Sequence, residues 1–359
     1  MLNFYFLVKL KEIIDVSYFG SISFYDYMNF CLYSKWCGFY NNTVKMFDKN
    51  RTYDTLPNIS RMFSFILAIR LDLFLRMKVD FGILEIGPGS GQFSVDILYF
   101  LVKFGTPFSR YLLLECSSNL YNMQKNLFKI KKIFKKILWV KCIPYGFSGI
   151  IVANEILDAI PTFCVSFKSF TFYERRVSYS GLQFIWVLYE FSFFLKNILL
   201  KKNNFFFKKR EFFFYFFEIC VYYVYFIISL LRSVNIGIFY FFDYGFLNEN
   251  YYRGTLRCVY QRLSYNSPFI IPSNQDITTY VDFLFLLDFC LKIKLKIYPL
   301  LFFYKFFFIV NLEFFSNSFD VYNKLYLLLY NEIRLCFFPE RMGVLFKILF
   351  FIKNTSTKK

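Results

Sequence analysis

Histidine is absent from all 359 residues. That omission removes Ser-His-Asp and Cys-His nucleophile systems and every histidine-ligated metal centre. Any catalysis must rest on carboxylates, lysine, tyrosine or positioning alone. Alanine occurs only at Ala68, Ala153 and Ala159, and glycine only 14 times. The nine cysteines are odd in number and scattered, with no Cys-x-x-Cys pair, so they indicate neither a disulfide framework nor a zinc site.

What fills the chain instead is Phe (56) and Tyr (30), with Ile, Lys and Asn also abundant. These residues have A/T-rich codons, which points to mutational bias in a reduced genome. A net charge of +18 ordinarily suggests nucleic acid or an anionic membrane as partner. Lysine is favoured by the same bias, however, and the basic runs Lys129 to Lys136 and Lys201 to Arg210 alternate with Phe and Ile rather than forming a reading motif. No nucleic-acid partner is expected. The start, MLNFYFLVKLKEIID, lacks a small-residue cleavage site and does not read as a signal peptide. The expected location is the cytoplasm, or the mitochondrial matrix if the chain is organellar. Phe212 to Leu231 carries Glu218 as its one charge and is long enough to span a bilayer. A surface helix in a Phe-inflated protein looks the same, so membrane anchoring is the less favoured reading.

The length admits one large domain or two smaller ones. Gly82 to Gly87, Tyr111 to Glu115, Ile137 to Lys141, Gly149 to Glu155 and Ile238 to Gly245 read as buried strands. Helical stretches Phe93 to Phe104 and Asn119 to Lys136 alternate with them, and Arg61 to Lys78 reads as a helix leading in. The pattern predicts an α/β fold: a doubly wound, mostly parallel, seven-stranded Rossmann-like sheet. Residues 1–80 form an N-terminal accessory segment. The main domain covers 81–352, with a low-complexity insertion at about 175–235, read as a loop near Lys201 to Asn204 followed by a helix. Residues 353–359 read as a disordered tail.

Four of the 14 glycines (Gly82, Gly87, Gly89, Gly91) fall within ten positions, in the string GILEIGPGSGQF. The string reads as a strand, a tight turn and a helix start, which presents backbone N–H groups to a nucleotide-like ligand. It departs from the dinucleotide fingerprint in spacing and in carrying Glu85 on the strand. In both respects it resembles motif I of class I S-adenosylmethionine-dependent methyltransferases. By that likeness the glycines admit the methionine part of the cofactor, and Glu85 holds its ammonium group. Glu115 closes the second strand, where a carboxylate accepts hydrogen bonds from ribose hydroxyls. In GIIVANEILDAIP (Gly149 to Pro161), Asn154, Glu155 and Asp158 stand at the edge of the sheet where ligands of open α/β folds bind. Asn154 or Asp158 also suits a helix cap.

A longer series of motifs, in order, resembles the MidA family, the mitochondrial dysfunction protein A group related to the complex I assembly arginine methyltransferase. The series runs through SFYDYMNFCLYSKWCGFY (Ser23 to Tyr40), TLPNIS (Thr55 to Ser60), EIGPGSG and LLECSSNLYNMQ (Leu113 to Gln124). It continues with ANEILDAIP, YERRV (Tyr173 to Val177), FDYGF (Phe242 to Phe246), GTLRC (Gly254 to Cys258), QDITTYVDF (Gln275 to Phe283) and PERMGVLFK (Pro339 to Lys347). The resemblance implies a class I methyltransferase using S-adenosylmethionine. Its acceptor would be an arginine-bearing protein, with a respiratory complex I-like subunit as the model. It implies Glu85, Gly87, Gly89, Gly91, Glu115 and Ser117 on the cofactor, and Asn154, Glu155 and Asp158 as catalytic residues on the acceptor side. Asp243 and Tyr244, ending the fifth strand, would complete the far wall. The chain also departs from the family: Thr52 and Asn58 stand where acids are usual, Ser90 where a basic residue is common, and Val259, Arg262 and Tyr280 where histidines are frequent. The alternative these departures raise is a cofactor-binding assembly or scaffold factor with little or no catalysis.

Overall fold

A computed structural model of the chain describes residues 4–41, 57, 61–131, 136–169, 171–201, 214–247, 254–298, 301–302, 305–306 and 345–354. Thr52, Asn58, most of PERMGVLFK, residues 202–213 and the end of the tail lie outside them. The helices in chain order are α1 (Phe4–Asp15), α2 (Phe24–Tyr33), α3 (Arg61–Met77), α4 (Gln92–Lys103), α5 (Ser118–Ile130), α6 (Phe193–Lys201), α7 (Tyr222–Ser233) and α8 (Phe283–Lys292). The first strands are β1 (Ile22–Ser23), β2 (Gly82–Ile86), β3 (Tyr111–Leu114), β4 (Ile137–Val140), β5 (Phe147–Asn154), β6 (Phe163–Lys168), β7 (Thr171–Ser180), β8 (Gln183–Glu190) and β9 (Phe214–Ile219). The rest are β10 (Val234–Phe246), β11 (Arg257–Tyr260), β12 (Leu263–Tyr265), β13 (Asp276–Thr278), β14 (Val281–Asp282), β15 (Lys296–Ile297), β16 (Leu301–Phe302) and β17 (Phe346–Lys353).

The chain divides into two compact units. The first joins Met1–Tyr53, Leu157–Tyr225 and Phe246–Asp282; the second joins Asp54–Ile156, Phe226–Gly245 and Phe283–Lys359.

In the second unit the strands run in the order β15-β17-β10-β5-β2-β3-β4, seven along one path. Pairing is parallel from β10 to β4, and antiparallel where β17 meets β10, β15 and β16. The expected doubly wound, mostly parallel sheet is therefore present. Its central strands are apolar without alternation because helices cover both faces; in β2 every residue is buried. Aromatic side chains do the packing that aliphatics do elsewhere. Phe63 of α3 stacks on Phe93 of α4 at 4.9 Å and meets Phe242 of β10 edge-on at 4.9 Å, contacts of about 0.5–1.5 kcal/mol each beyond their burial. The chain places β3 and β4 on one side of β2 and then crosses to β5 on the other, so the switch point of the sheet lies at the carboxyl end of β2.

The first unit holds the antiparallel sheet β1-β7-β6-β9, with β8 on β7, and the small sheet β12-β11-β13. The stretch about 175–235 thus contributes β8, β9 and much of β7 to a sheet, in addition to α6 and α7. This corrects the reading of Phe212 to Leu231 as one apolar span. Phe214–Ile219 is strand β9, paired with β6 from Phe163↔Ile219 to Lys168↔Phe214, and the helix begins only at Tyr222. Phe217 and Ile219 are apolar because they fill the core of this sheet with Val165 and Leu195. Among the described residues no helix is long and apolar enough to cross a membrane.

Candidate functional site

Register places three strand ends in one row. Ile86 pairs with Leu114 on one side and Ala153 on the other. The next residues, Glu115, Gly87 and Asn154, therefore stand side by side, spanning about 10 Å at the usual strand spacing. Between them the chain turns through Gly87, Gly89 and Gly91, at φ +63°, +54° and +82°. This is the left-handed region that glycine enters without steric cost. A methyl group on Gly87 would meet Ile156 Cδ1 at 2.3 Å, whereas one on Gly89 would meet no atom within 4 Å. The backbone at Gly89 is open to an approaching ligand.

One side chain, which the sequence reading left unassigned, fastens this row. Gln124 on α5 donates from Nε2 to the Gly89 carbonyl and to Glu115 Oε2, both at 2.9 Å, and accepts from Trp139 Nε1 at 2.9 Å. Its signal was present: Leu120, Gln124 and Phe128 form the buried stripe of α5, and a glutamine there needs partners. Glu115 also accepts from the Ser117 N–H at 2.8 Å. Burial pushes its pKa up, opposed by the Ser117, Gln124 and Cys116 hydrogen bonds. With three of its roughly four acceptor positions taken, about one remains for a ligand. Ser117 caps α5, its hydroxyl accepting from Leu120 N–H at 3.3 Å.

Glu85 is enclosed, at 2% exposure. It accepts from the Tyr111 hydroxyl at 2.6 Å, and burial, outweighing such bonding, pushes its pKa up to about 7. Its charge lies inside the layer rather than on an open surface. Glu155 follows β5 with φ +51°, a strained conformation for a residue with a side chain, and its N–H donates to the Phe242 carbonyl at 2.9 Å. Asn154 donates from Nδ2 to Glu155 Oε1 at 3.4 Å, while its buried Oδ1 has no hydrogen-bond partner among the described residues.

Asp243 and Tyr244 do not end the fifth strand. β10 continues to Phe246 because β17 pairs alongside through Tyr244↔Phe346. Asp243 is fully enclosed, its Oδ1 accepting from the Tyr244 N–H at 2.8 Å.

Asp158 belongs to the first unit, where its carbonyl accepts from Thr279 N–H at 3.0 Å. Its neighbours include Tyr40, whose hydroxyl donates to Asp276 Oδ1 at 2.8 Å. Burial first, then the charges of Asp276, Tyr33 and Asp158, hold the Tyr40 phenol well above its ordinary pKa. Asp276 is buried, its Oδ2 unpartnered among the described residues, and its pKa is pushed up to about 6 by desolvation. Neither Tyr40 nor Asp276 was singled out in the sequence, although both lie in motifs it contains.

Comparison with known proteins identifies the family and the fold. The model of the S-adenosyl-L-methionine-dependent methyltransferase family Methyltransf_28 matches residues 69–299. A mitochondrial protein described as an arginine methyltransferase NDUFAF7 homolog, from Caenorhabditis elegans, is 28% identical over 167 residues, which cover 40% of this chain and 39% of the relative. The chain thus spans about two-fifths of the length of that curated relative. A COG1565 superfamily protein from Burkholderia thailandensis, solved with S-adenosyl-homocysteine bound, superposes with TM-score 0.86 at 24% identity over 98% of this chain and 92% of the other. A native structure from that organism gives TM-score 0.85 with the same identity and coverage. The fold is shared with both. With its glycine turn at the switch point of a parallel sheet, and its family model covering most of that sheet, the chain belongs to this family of S-adenosylmethionine-dependent methyltransferases.

Proposed function

We propose that the chain methylates the guanidinium of an arginine in a protein, with a respiratory complex I-like subunit as the model acceptor. The observation that carries the reading is Glu155: a carboxylate locked at φ +51° on the strand end beside the glycine turn. The name of the Caenorhabditis relative supports the substrate class.

The residues present fit the cofactor. Gly89 leaves an open backbone, Glu115 keeps about one acceptor position, and Asn154 Oδ1 is a buried acceptor awaiting a donor. In the proposal Gly87, Gly89 and Gly91 seat the methionine end, Glu115 and Ser117 hold the ribose end, and Glu85 supplies negative charge to the ammonium from within the layer. Bound there, S-adenosylmethionine supplies a methyl group on an already activated sulfonium. The protein's work is alignment and exclusion of water. Glu155 pairs with the acceptor guanidinium in bidentate fashion and turns one nitrogen towards the methyl group. Asn154 steadies that carboxylate. No histidine is needed.

Incubating a source-cell lysate with tritiated cofactor and either wild-type protein or Glu155→Gln tests the reading. It predicts one labelled polypeptide bearing methylarginine with the wild type and a loss of label with the variant. Methyl label on another residue type, or cofactor binding with no label anywhere, contradicts it; the latter result favours the scaffold alternative.

A further inference from the structure

Three motifs that the methyl-transfer reading does not use, YERRV, GTLRC and TTYVDF, come together in the first unit around a cavity of about 280 Å³. We propose that this cavity is a second binding site, one that takes an oxyanion group, carboxylate or phosphate. Its volume is at the small end of ligand pockets, suited to a single charged group or a short acidic side chain.

The case rests on Arg175 of β7. Its guanidinium lies 4.2 Å from the Trp186 ring centre and 4.9 Å from that of Phe216. Stacking of this kind covers the flat faces of a guanidinium and leaves its N–H edge for a planar acceptor. Among the described residues that edge meets no hydrogen-bond acceptor and no ion-pair partner. Glu218 is the nearby acid, but register keeps them apart: Cys164 of β6 pairs with Arg175 on one side and Glu218 on the other. The two side chains thus share a sheet face two strands apart, about 10 Å. Glu218 is engaged elsewhere, accepting from the Thr255 N–H at 2.7 Å, the Thr255 hydroxyl at 2.9 Å and the Leu256 N–H at 3.3 Å. Burial pushes its pKa up, opposed by those hydrogen bonds.

A second cation stands at the rim. Arg257 is exposed and donates from Nε to Ser264 Oγ at 2.8 Å, and its terminal nitrogens are unengaged among the described residues. Two guanidinium edges at one cavity, with the one acid among its described lining residues already satisfied, is the arrangement that recognises an oxyanion by paired charge-assisted hydrogen bonds. The site is separate in sequence and in unit from the glycine turn, so it stands whatever the methyl acceptor proves to be.

Titration calorimetry on the full chain at low salt, with inorganic phosphate, glutarate and acetyl-Glu-Glu-amide as probes, tests the proposal. At least one probe should bind the wild type. Arg175→Gln should weaken it tenfold or more, Arg175→Lys less, and Arg257→Gln several-fold. Binding of S-adenosyl-homocysteine, unchanged in all three variants, reports that they are folded. Preference for phosphate marks a free phosphoryl ligand, and preference for the dipeptide an acidic segment of a polypeptide. Should Arg175→Gln fail that folding control, the exposed Arg257→Gln and the conservative Arg175→Lys still decide. No binding by any probe, or binding that the folded variants leave unaltered, overturns the proposal.

Discussion

The Tyr111 hydroxyl donates to Glu85 Oε2 at 2.6 Å, joining β3 to β2 inside the apolar layer under the glycine turn. A carboxylate there is easier to bury protonated, which is why its pKa rises to about 7. Between its ordinary value of 4.5 and about 7 the folded chain holds a proton that the unfolded chain has released. Stability therefore falls as pH rises through that window and is level above it. A shift of this size corresponds to about 3 kcal/mol. Asp276, raised to about 6, adds a slope of the same sign, so the informative quantity is a difference. Urea unfolding at pH 5 and pH 8 should show Glu85→Gln losing about 3 kcal/mol less across the interval than wild type. Equal losses would show that Glu85 is not the titrating group.

Gly87 and Gly89 share a left-handed backbone but not their surroundings. Gly87→Ala and Gly89→Ala each incur about 1 kcal/mol or more of backbone strain, and only the former also strikes Ile156 Cδ1. Ile156→Val should restore part of the stability lost in Gly87→Ala and none of that lost in Gly89→Ala. Gly89→Ala should instead weaken S-adenosyl-homocysteine binding at least tenfold, because its methyl group occupies ligand space. Thermal unfolding with and without ligand separates the two effects.

Gln124→Leu keeps volume but leaves the Gly89 carbonyl, Glu115 and the Trp139 N–H without their shared partner. The expected loss is about 1–3 kcal/mol of stability, together with weaker cofactor binding as the turn loosens. Stability reduced with affinity unchanged would mean that the network serves the fold alone.

The five parallel strands were legible to within a few residues because each is a short apolar run, four of them closed by Gly, Glu or Asn and Ile137–Val140 by Lys141. The glycine turn was legible for the same reason, glycine being scarce elsewhere. The sheet of the first unit was hidden. In β9, Phe216 and Phe217 fall on opposite faces, so period-2 contrast disappears, and its continuity with the apolar α7 imitates one long element. Gln124 escaped notice because its three partners come from the turn, β3 and β4. Asp276 escaped because Tyr40 reaches it across 236 residues, a distance that no local pattern encodes.

Glu155 separates catalysis from folding. Glu155→Gln keeps shape and hydrogen-bonding capacity but loses the charge, and methyl transfer should fall by about two orders of magnitude with cofactor affinity nearly unchanged. Glu155→Gly, relieved of a side chain at φ +51°, should be no less stable than Glu155→Gln while equally inactive. Wild-type turnover in Glu155→Gln would remove it from the acceptor-orienting role.

The measurement closest to the centre of this account is calorimetric titration of the purified chain with S-adenosyl-homocysteine, beside the Gly89→Ala variant. One site per chain in the wild type, weakened at least tenfold in the variant, is the predicted result. Absence of binding heat in the wild type, or equal affinity in both proteins, would contradict the assignment of the turn after β2 as the cofactor's seat.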